Sequence, residues 1–360
     1  MKNSIGASVI LTLAGESHGP GVIAVLDGMA AGVKVDELSI AAQLNLRRPA
    51  SSGESPRREQ DEFRILSGVL DGHATGAPIT FFIPNEDVRP RDYQPGPVRP
   101  SHADYPSHMK YEGFEDYRGG GQFSGRLTAG ICAAGAVALD ALKAKGIRVG
   151  SHILSCGGVS DRPFAEDPLK DIENLYGDHF PVLSDVAPQM REAIAAAASA
   201  GDSVGGVVQT AVTGLPAGLG EPWFGSLDGS ISAAIMSIRA VKGIEFGDGF
   251  RLAGMRGSQA NDAYGFQDGQ VRTLTNHGGG VAGGMSTGMP LIFSSAVKPT
   301  SSISLPQRSV NPDTHEEVTL SIKGRHDPAI VRRICPVINC MTALVICDLM
   351  ALRYGTDYLR

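Results

Sequence analysis

Aromatic residues are scarce in this chain of 360: phenylalanine, tryptophan and tyrosine make up 6% of it, and Trp223 is the lone tryptophan. Positive charge is scarce too, with 32 lysines and arginines against 38 acidic residues, a net charge of −6 and a pI near 5.9. A general nucleic-acid binder needs a basic face, and a single-strand binder needs aromatic platforms. Both shortages argue against nucleic acid as a partner. Cysteine is limited to Cys132, Cys156, Cys335, Cys340 and Cys347, an odd number with no CxxC pair. The last three fall in one apolar stretch. They are expected as buried free thiols in a reducing compartment, not as a disulfide frame or a metal site. Also lacking are an N-terminal signal pattern and a run of about 18 apolar residues. The expected setting is therefore cytoplasmic, with no membrane span.

What the chain has in excess is glycine, 46 of 360 residues, against an ordinary share of about 7%. No collagen-like period exists, so these glycines serve turns, close backbone approaches and anion nests. Arginines cluster as well: Arg47, Arg48, Arg57 and Arg58 surround one loop, and Arg89, Arg91 and Arg99 follow. A cation pair at a helix C-terminus complements the dipole, yet this cluster exceeds what capping needs. The guanidinium fork binds carboxylate and phosphate bidentately, which points to a local anion clamp in an acidic protein. The segment from Arg99 to Arg126 concentrates this chemistry, with His102, His108, Lys110, Arg118, a triple glycine at 119–121 and Arg126 itself. Its first part has neither helical nor strand period. Its tyrosines and Phe114 argue against disorder, so an ordered loop system closing over something negatively charged is expected.

Taken in order, 7–14 and 22–26 read as strands joined by the polar wedge Gly15-Glu16-Ser17-His18-Gly19, which presents Ser17 and His18. A helix is expected from Asp36, as N-cap, to Arg47-Arg48-Pro49. Short strands fill 63–83. A helix of small residues runs from Ser124 to a glycine stop at Gly146. Further helices are expected over 185–200 and 228–239. Asp327-Pro328 reads as the N-cap and first residue of an apolar C-terminal helix, which Pro336 should kink or shorten. The Lys298-Pro299-Thr300-Ser301-Ser302 run sets one cation beside three hydroxyls and suits a phosphate-bearing ligand. An internal repeat joins these parts. Gly15-Glu16-Ser17-His18-Gly19 aligns without gaps to Gly201-Asp202-Ser203-Val204-Gly205, and the register holds to Gly32 and Gly218. Only the first copy keeps a histidine. The shared turn needs its glycines, whereas His18 is an addition, which favours a functional role for it.

GESHG at 15–19, RPSHADY at 99–105, RGGG with SGR at 118–126, AVKG at 240–243, GGGVAGG at 278–284, KPTSS at 298–302 and GRHDP at 324–328 together resemble the chorismate synthase family, in order and over nearly the whole chain. The resemblance implies an α+β fold, a β-α-β sandwich with helices between antiparallel sheets and an internal pseudo-twofold. It implies one domain over 1–360 whose halves run roughly 7–145 and 190–355, assembled as a homotetramer. The activity it implies is that of a carbon–oxygen lyase: anti 1,4-elimination of phosphate from 5-enolpyruvylshikimate 3-phosphate to give chorismate, with reduced FMN, in the shikimate pathway of aromatic amino acid biosynthesis.

By the same resemblance Arg47, Arg48, Arg126 and Arg325 bind substrate. His102 assists the leaving phosphate, and His18 protonates or hydrogen-bonds the reduced flavin. Asp327 helps deprotonate the substrate by way of the flavin, and Ser17 and Ser124 orient groups nearby. FMN lies against Gln122, Phe123, Ser124, Arg239, Ala240, Gly283, Lys298, Pro299, Thr300, Ser301, Ser302 and Arg325. Gln122-Phe123 stands where many members carry a basic and a small polar residue, Arg239 where Asn or Pro is common, and Asn339 where Glu is common. The alternative is a flavin-dependent oxidoreductase on the same scaffold, consuming reduced nicotinamide stoichiometrically. The chain has no separate nucleotide-binding fingerprint, so direct use of NADPH is not expected.

Overall fold

The computed structural model describes residues 3–49, 60–86, 96–175, 177–322 and 327–360. Arg57, Arg58, Arg89, Arg91, Arg325 and His326 lie outside them. Strands Ile10–Gly15 and Gly21–Asp27 pair antiparallel across the 16–20 turn. They join a five-stranded sheet in the order Ser4–Ile5, Ile10–Gly15, Gly21–Asp27, Ile79–Pro84, Arg64–Ser67. Alternate residues Val22, Ala24 and Leu26, with Ile79, Phe81 and Ile83 beside them, are fully buried. That is the two-residue period of a sheet with one face on the core. The second five-stranded sheet runs Val241–Phe246, Leu291–Val297, Gly206–Thr213, Arg148–Cys156, Val159–Ser160, also antiparallel throughout.

The helices among the described residues are α1 (Glu37–Arg47), α2 (Asp104–Tyr111), α3 (Thr128–Ala144), α4 (Leu169–Asn174), α5 (Ala187–Ser199), α6 (Leu227–Ser237), α7 (Gly257–Ala260) and α8 (Val331–Tyr354). Helix α3 packs on the first sheet, α8 on the second, and the two lie against each other, flanked by α1 and α6. The α+β class is thus as expected. Asp36 caps α1 by accepting from Leu38 N–H at 3.0 Å, and Gly146 follows α3 at φ +79°. The small residues of α3 set how near its neighbours come. A Cβ on Gly130 would stand 2.9 Å from Leu13, and one on Gly135 would stand 2.3 Å from the Cys340 Cβ on α8. Gly135→Ala should therefore cost about 1–3 kcal/mol by overpacking, despite the better helix propensity of alanine. Thermal melting measures this, and an unchanged midpoint would contradict so close an approach.

The C-terminal helix departs from expectation. Its N-cap is Ile330, not Asp327, and it runs unbroken through Pro336 to Tyr354. Asp327 lies before the cap, with its carboxylate accepting from Arg333. Segments 125–144 and 331–354 are each long and apolar enough to cross a membrane, contrary to the expectation of no such run; 67% and 94% of their apolar windows are buried inside the protein. They are core helices here, and all five cysteines are buried and free, as expected. The long loop also contains α2, which no apolar period announces because only Ser107 of it is buried. Gly21–Asp27 and Gly206–Thr213 are the middle strands of their sheets, and the aligned glycines Gly28 and Gly214 have φ of +79° and +80°. The turns before them differ, since the first follows a strand and the second follows α5.

His152 lies in the second sheet, fully buried, with Nδ1 3.2 Å from Asp161 and Nε2 3.2 Å from Gln209. Burial pushes its pKa down, against the opposing pull of Gln209 and Asp161. The unfolded ring takes up a proton at about pH 6.5, whereas the native ring resists it. Stability from this group is full above that pH and is lost as pH falls toward the native pKa. The melting temperature should fall as pH drops below about 6.5. His152→Gln should flatten that slope; an identical slope would assign it to other groups.

Candidate active site

The GESHG turn fixes one wall. Ser17 N–H donates to the Gly121 carbonyl at 3.1 Å, and the Asn85 amide donates to the Glu16 and Gly19 carbonyls at 2.8 and 2.9 Å. Gly119, Gly120 and Gly121 all adopt positive φ, at +60°, +82° and +49°. Sterics require glycine here, because a Cβ on Gly119 would lie 2.3 Å from the His18 ring and 2.9 Å from the Ser17 hydroxyl. Gly119 thus permits the close approach to His18, while a Cβ on Gly121 would meet the Asp116 carbonyl at 2.3 Å. Ser124 caps a short 3-10 turn before α3 by accepting from Arg126 N–H at 3.2 Å. Asp116 accepts three bonds from Arg118, two from the guanidinium at 2.7 and 2.9 Å and one from its backbone N–H at 3.0 Å. Those bonds hold its carboxyl below the usual carboxylate range, and the His18 charge pulls the same way.

The second copy of the turn fixes the opposite wall. The Ser203 hydroxyl donates to the Thr300 carbonyl at 2.6 Å, Val204 N–H to the Pro328 carbonyl at 2.8 Å, and Gly201 O accepts from Ser304 N–H at 2.9 Å. The 298–302 loop is thus tied to the 201–205 turn through Ser203. Across the cavity mouth, His102 Nε2 meets the Ser302 hydroxyl at 2.7 Å. Lys298 Nζ donates to the Ser101 carbonyl and the Ser301 hydroxyl at 2.8 and 2.9 Å. Burial pushes the Lys298 ammonium down, and Lys242 adds to it. Arg99 grips Asp104 through two bonds of 2.7 Å and so sets the start of α2, which follows His102.

The floor is a network of arginines and carboxylates. Asp61, whose side chain is wholly buried, accepts from Arg47 at 2.6 Å and also from Arg126. Burial pushes the Asp61 carboxyl up, but Arg47 and then Arg126 outweigh it and hold it below the ordinary range. Arg126 donates further to Asn85 and to the Pro84 carbonyl, at 2.8 and 2.9 Å. The last carbonyls of α1, which a helix leaves without internal partners, are met from α8. Arg332 donates to those of Leu46 and Arg48 at 3.0 and 2.5 Å, and Arg333 to that of Arg47 at 2.9 Å. The other end of the Arg333 fork reaches Asp327 at 2.5 Å. Burial pushes the Arg333 guanidinium down, and Asp327 opposes that shift.

These walls and this floor enclose one cavity of about 1220 Å³. Of the expected residues it is lined by Ser17, His18, Arg47, Arg48, His102, Phe123, Ser124, Arg126, Arg239, Ala240, the whole 298–302 run and Asp327. Gln122 and Gly283 are not among its lining residues; Gly283 lies in the exposed turn between strands Val281–Ala282 and Met285–Ser286. Arg325 lies outside the described residues. The Arg239 guanidinium stands 5.2 Å over the Phe123 ring, which in turn lies 6.2 Å from Tyr111. Burial pushes Arg239 down from its ordinary pKa, with Tyr111 opposing. Ala240 takes φ +72°, a region non-glycine residues rarely occupy outside constrained sites. Sequence reasoning missed Asp61, Arg333 and Arg332. Two arginines in the first turn of an apolar helix oppose its dipole, and that conflict was the available signal. Asp61 gave none.

A family model described as chorismate synthase matches residues 9–351. Chorismate synthase of Methanocella arvoryzae is 45% identical over 355 residues, covering 97% of this chain and 94% of the relative. That of Aeropyrum pernix is 43% identical, covering 98% and 93%. A solved structure titled as a crystal structure of chorismate synthase superposes with a TM-score of 0.78 at 29% identity, over 98% of this chain and 94% of the other.

Proposed function

The chain belongs to the chorismate synthase family, and from that premise we propose that it eliminates phosphate from 5-enolpyruvylshikimate 3-phosphate to give chorismate with reduced FMN. The observation that carries this reading is one cavity joining His18 and His102, an arginine floor and the 298–302 loop in a protein of net negative charge. Its volume exceeds the roughly 300–1,000 Å³ of a typical ligand pocket, which leaves room for a cofactor beside a substrate.

The residues present fit FMN. Lys298, Ser301, Ser302 and Thr300 offer a cation and hydroxyls of the kind a phosphate takes. Phe123, with Arg239 over its face, offers a flat apolar surface next to a cation, which suits an aromatic ring system. Reduced FMN, when bound, supplies electron density transiently to the breaking C–O bond. The chain's own part is positioning, charge and proton movement. Arg47, Arg48 and Arg126 orient the anionic groups of the substrate. His102, oriented by Ser302, gives the leaving phosphate a proton or a positive neighbour, and an imidazole is suited to that near neutral pH. His18, beside Gly119 on the cavity wall, holds a proton toward the cavity. Asp327, held by Arg333, accepts the proton that the substrate loses. Ser17 and Ser124 orient groups at the edge of the site.

We also infer one domain built from duplicated halves, which the shared core and the matched central strands support. A homotetramer in the cytoplasm is the assembly and setting we propose. Trp223, Phe224, Phe250 and Phe266 are 79–105% exposed and available for subunit contacts. The test is anaerobic: mix protein, substrate and chemically reduced FMN, and follow chorismate and phosphate together. Equal release, with the flavin still reduced, is expected. Stoichiometric consumption of reduced nicotinamide without phosphate release would favour the oxidoreductase instead.

A further inference from the structure

We propose that Asp61 is a positioning residue for substrate binding: its carboxylate locks the Arg47 and Arg126 forks into the orientation that receives an anionic group of the substrate. The inference rests on the reading of the cavity as the substrate site. Three observations carry it. Asp61 is joined to both arginines, and the side chains of the three are 0%, 7% and 2% exposed. Arg47 comes from the end of α1 and Arg126 from the turn before α3, so no single element fixes their relation. Asp61 lines the same cavity as both. Two guanidinium groups this close repel each other, and a carboxylate between them cancels one charge and leaves a net positive site. The geometry matters beyond the charge, because a planar fork binds carboxylate or phosphate well only when its N–H bonds are aimed.

Asp61→Asn and Asp61→Glu separate aim from charge. The glutamate variant keeps the charge and a folded floor but moves the oxygens by one methylene. It is expected to melt near wild type, to bind 5-enolpyruvylshikimate 3-phosphate about 10–100-fold more weakly, and to raise KM more than it lowers kcat. Calorimetric titration of substrate into the protein without flavin gives the binding constant independently of turnover. The asparagine variant, where it folds, should show at least the same loss. Wild-type substrate affinity in folded Asp61→Glu would overturn the proposal and reduce Asp61 to a counter-ion. Tighter substrate binding in Asp61→Asn would overturn it too, by showing that the carboxylate competes with substrate for the arginines. Wild-type protein in the same titration and assay tests the reading beneath: no binding and no chorismate there would remove the substrate site itself.

Discussion

Replacement of His102 by alanine is expected to slow turnover about 10²–10⁴-fold with the melting temperature nearly unchanged. His102 is half-buried at the cavity mouth, and its Nε2 contact is the Ser302 hydroxyl at 2.7 Å. A hydroxyl can donate or accept, so it can hold the ring in either protonation state without committing it to one. That is the arrangement a group needs if it is to hand a proton to departing phosphate and take it back. Removing the ring exposes Ser302 to water, so the cost in stability is small. The cost in rate should be largest when phosphate departure limits turnover. A merely structural histidine would give the reverse pattern. Partial rescue by added imidazole, and a pH–rate profile that loses one limb in His102→Ala, would complete the assignment. A variant within threefold of wild type at saturating substrate would remove His102 from the chemistry. His18→Ala should match its size, and there the Gly119 backbone loses the ring it is folded around.

Much of this was legible in the sequence because the relevant signals were local. The GESHG wedge, the Asp36 cap, the Gly146 stop and the KPTSS loop each carry their reason within a few residues, and the structure places them as read. The aligned stretches look alike in sequence because both need glycine at positive φ, as at Gly28 and Gly214, whatever the side chains around them. What the sequence did not disclose depends on contacts between distant segments. Asp61 has no neighbour in sequence that explains it, since its partners are 14 and 65 positions away. Asp327-Pro328 satisfies every local rule for a helix start, yet α8 begins at Val331, and the Asp327 carboxylate accepts from Arg333 instead. Arg332 and Arg333, in the first turn of α8, were passed over inside an apolar pattern. Their work is to close the end of another helix, and no periodicity within α8 reports that.

Asp327→Ala tests whether that misread residue is structural or chemical. Turnover per folded molecule is expected to fall about 10²–10⁴-fold if it moves a proton. Stability should fall as well, since Arg333 keeps its charge among Arg47 and Arg332 with its nearest carboxylate gone. Breaking a buried pair from one side costs about 3–5 kcal/mol; with Arg333 23% and Asp327 8% exposed, the lower end or less is expected here. The double variant Asp327→Ala, Arg333→Met separates the two effects. Methionine fills the space of the arginine stem without its charge, and removing both members of an ion pair is far less destabilising than removing one. The double variant should therefore regain part of the melting temperature lost by Asp327→Ala, with a coupling of about 0.5–3 kcal/mol. Its turnover should not recover, because the carboxylate is still missing. If activity returned along with stability, the role of Asp327 would be to hold Arg333 against the end of α1, and the proton acceptor would have to be sought elsewhere on the cavity wall.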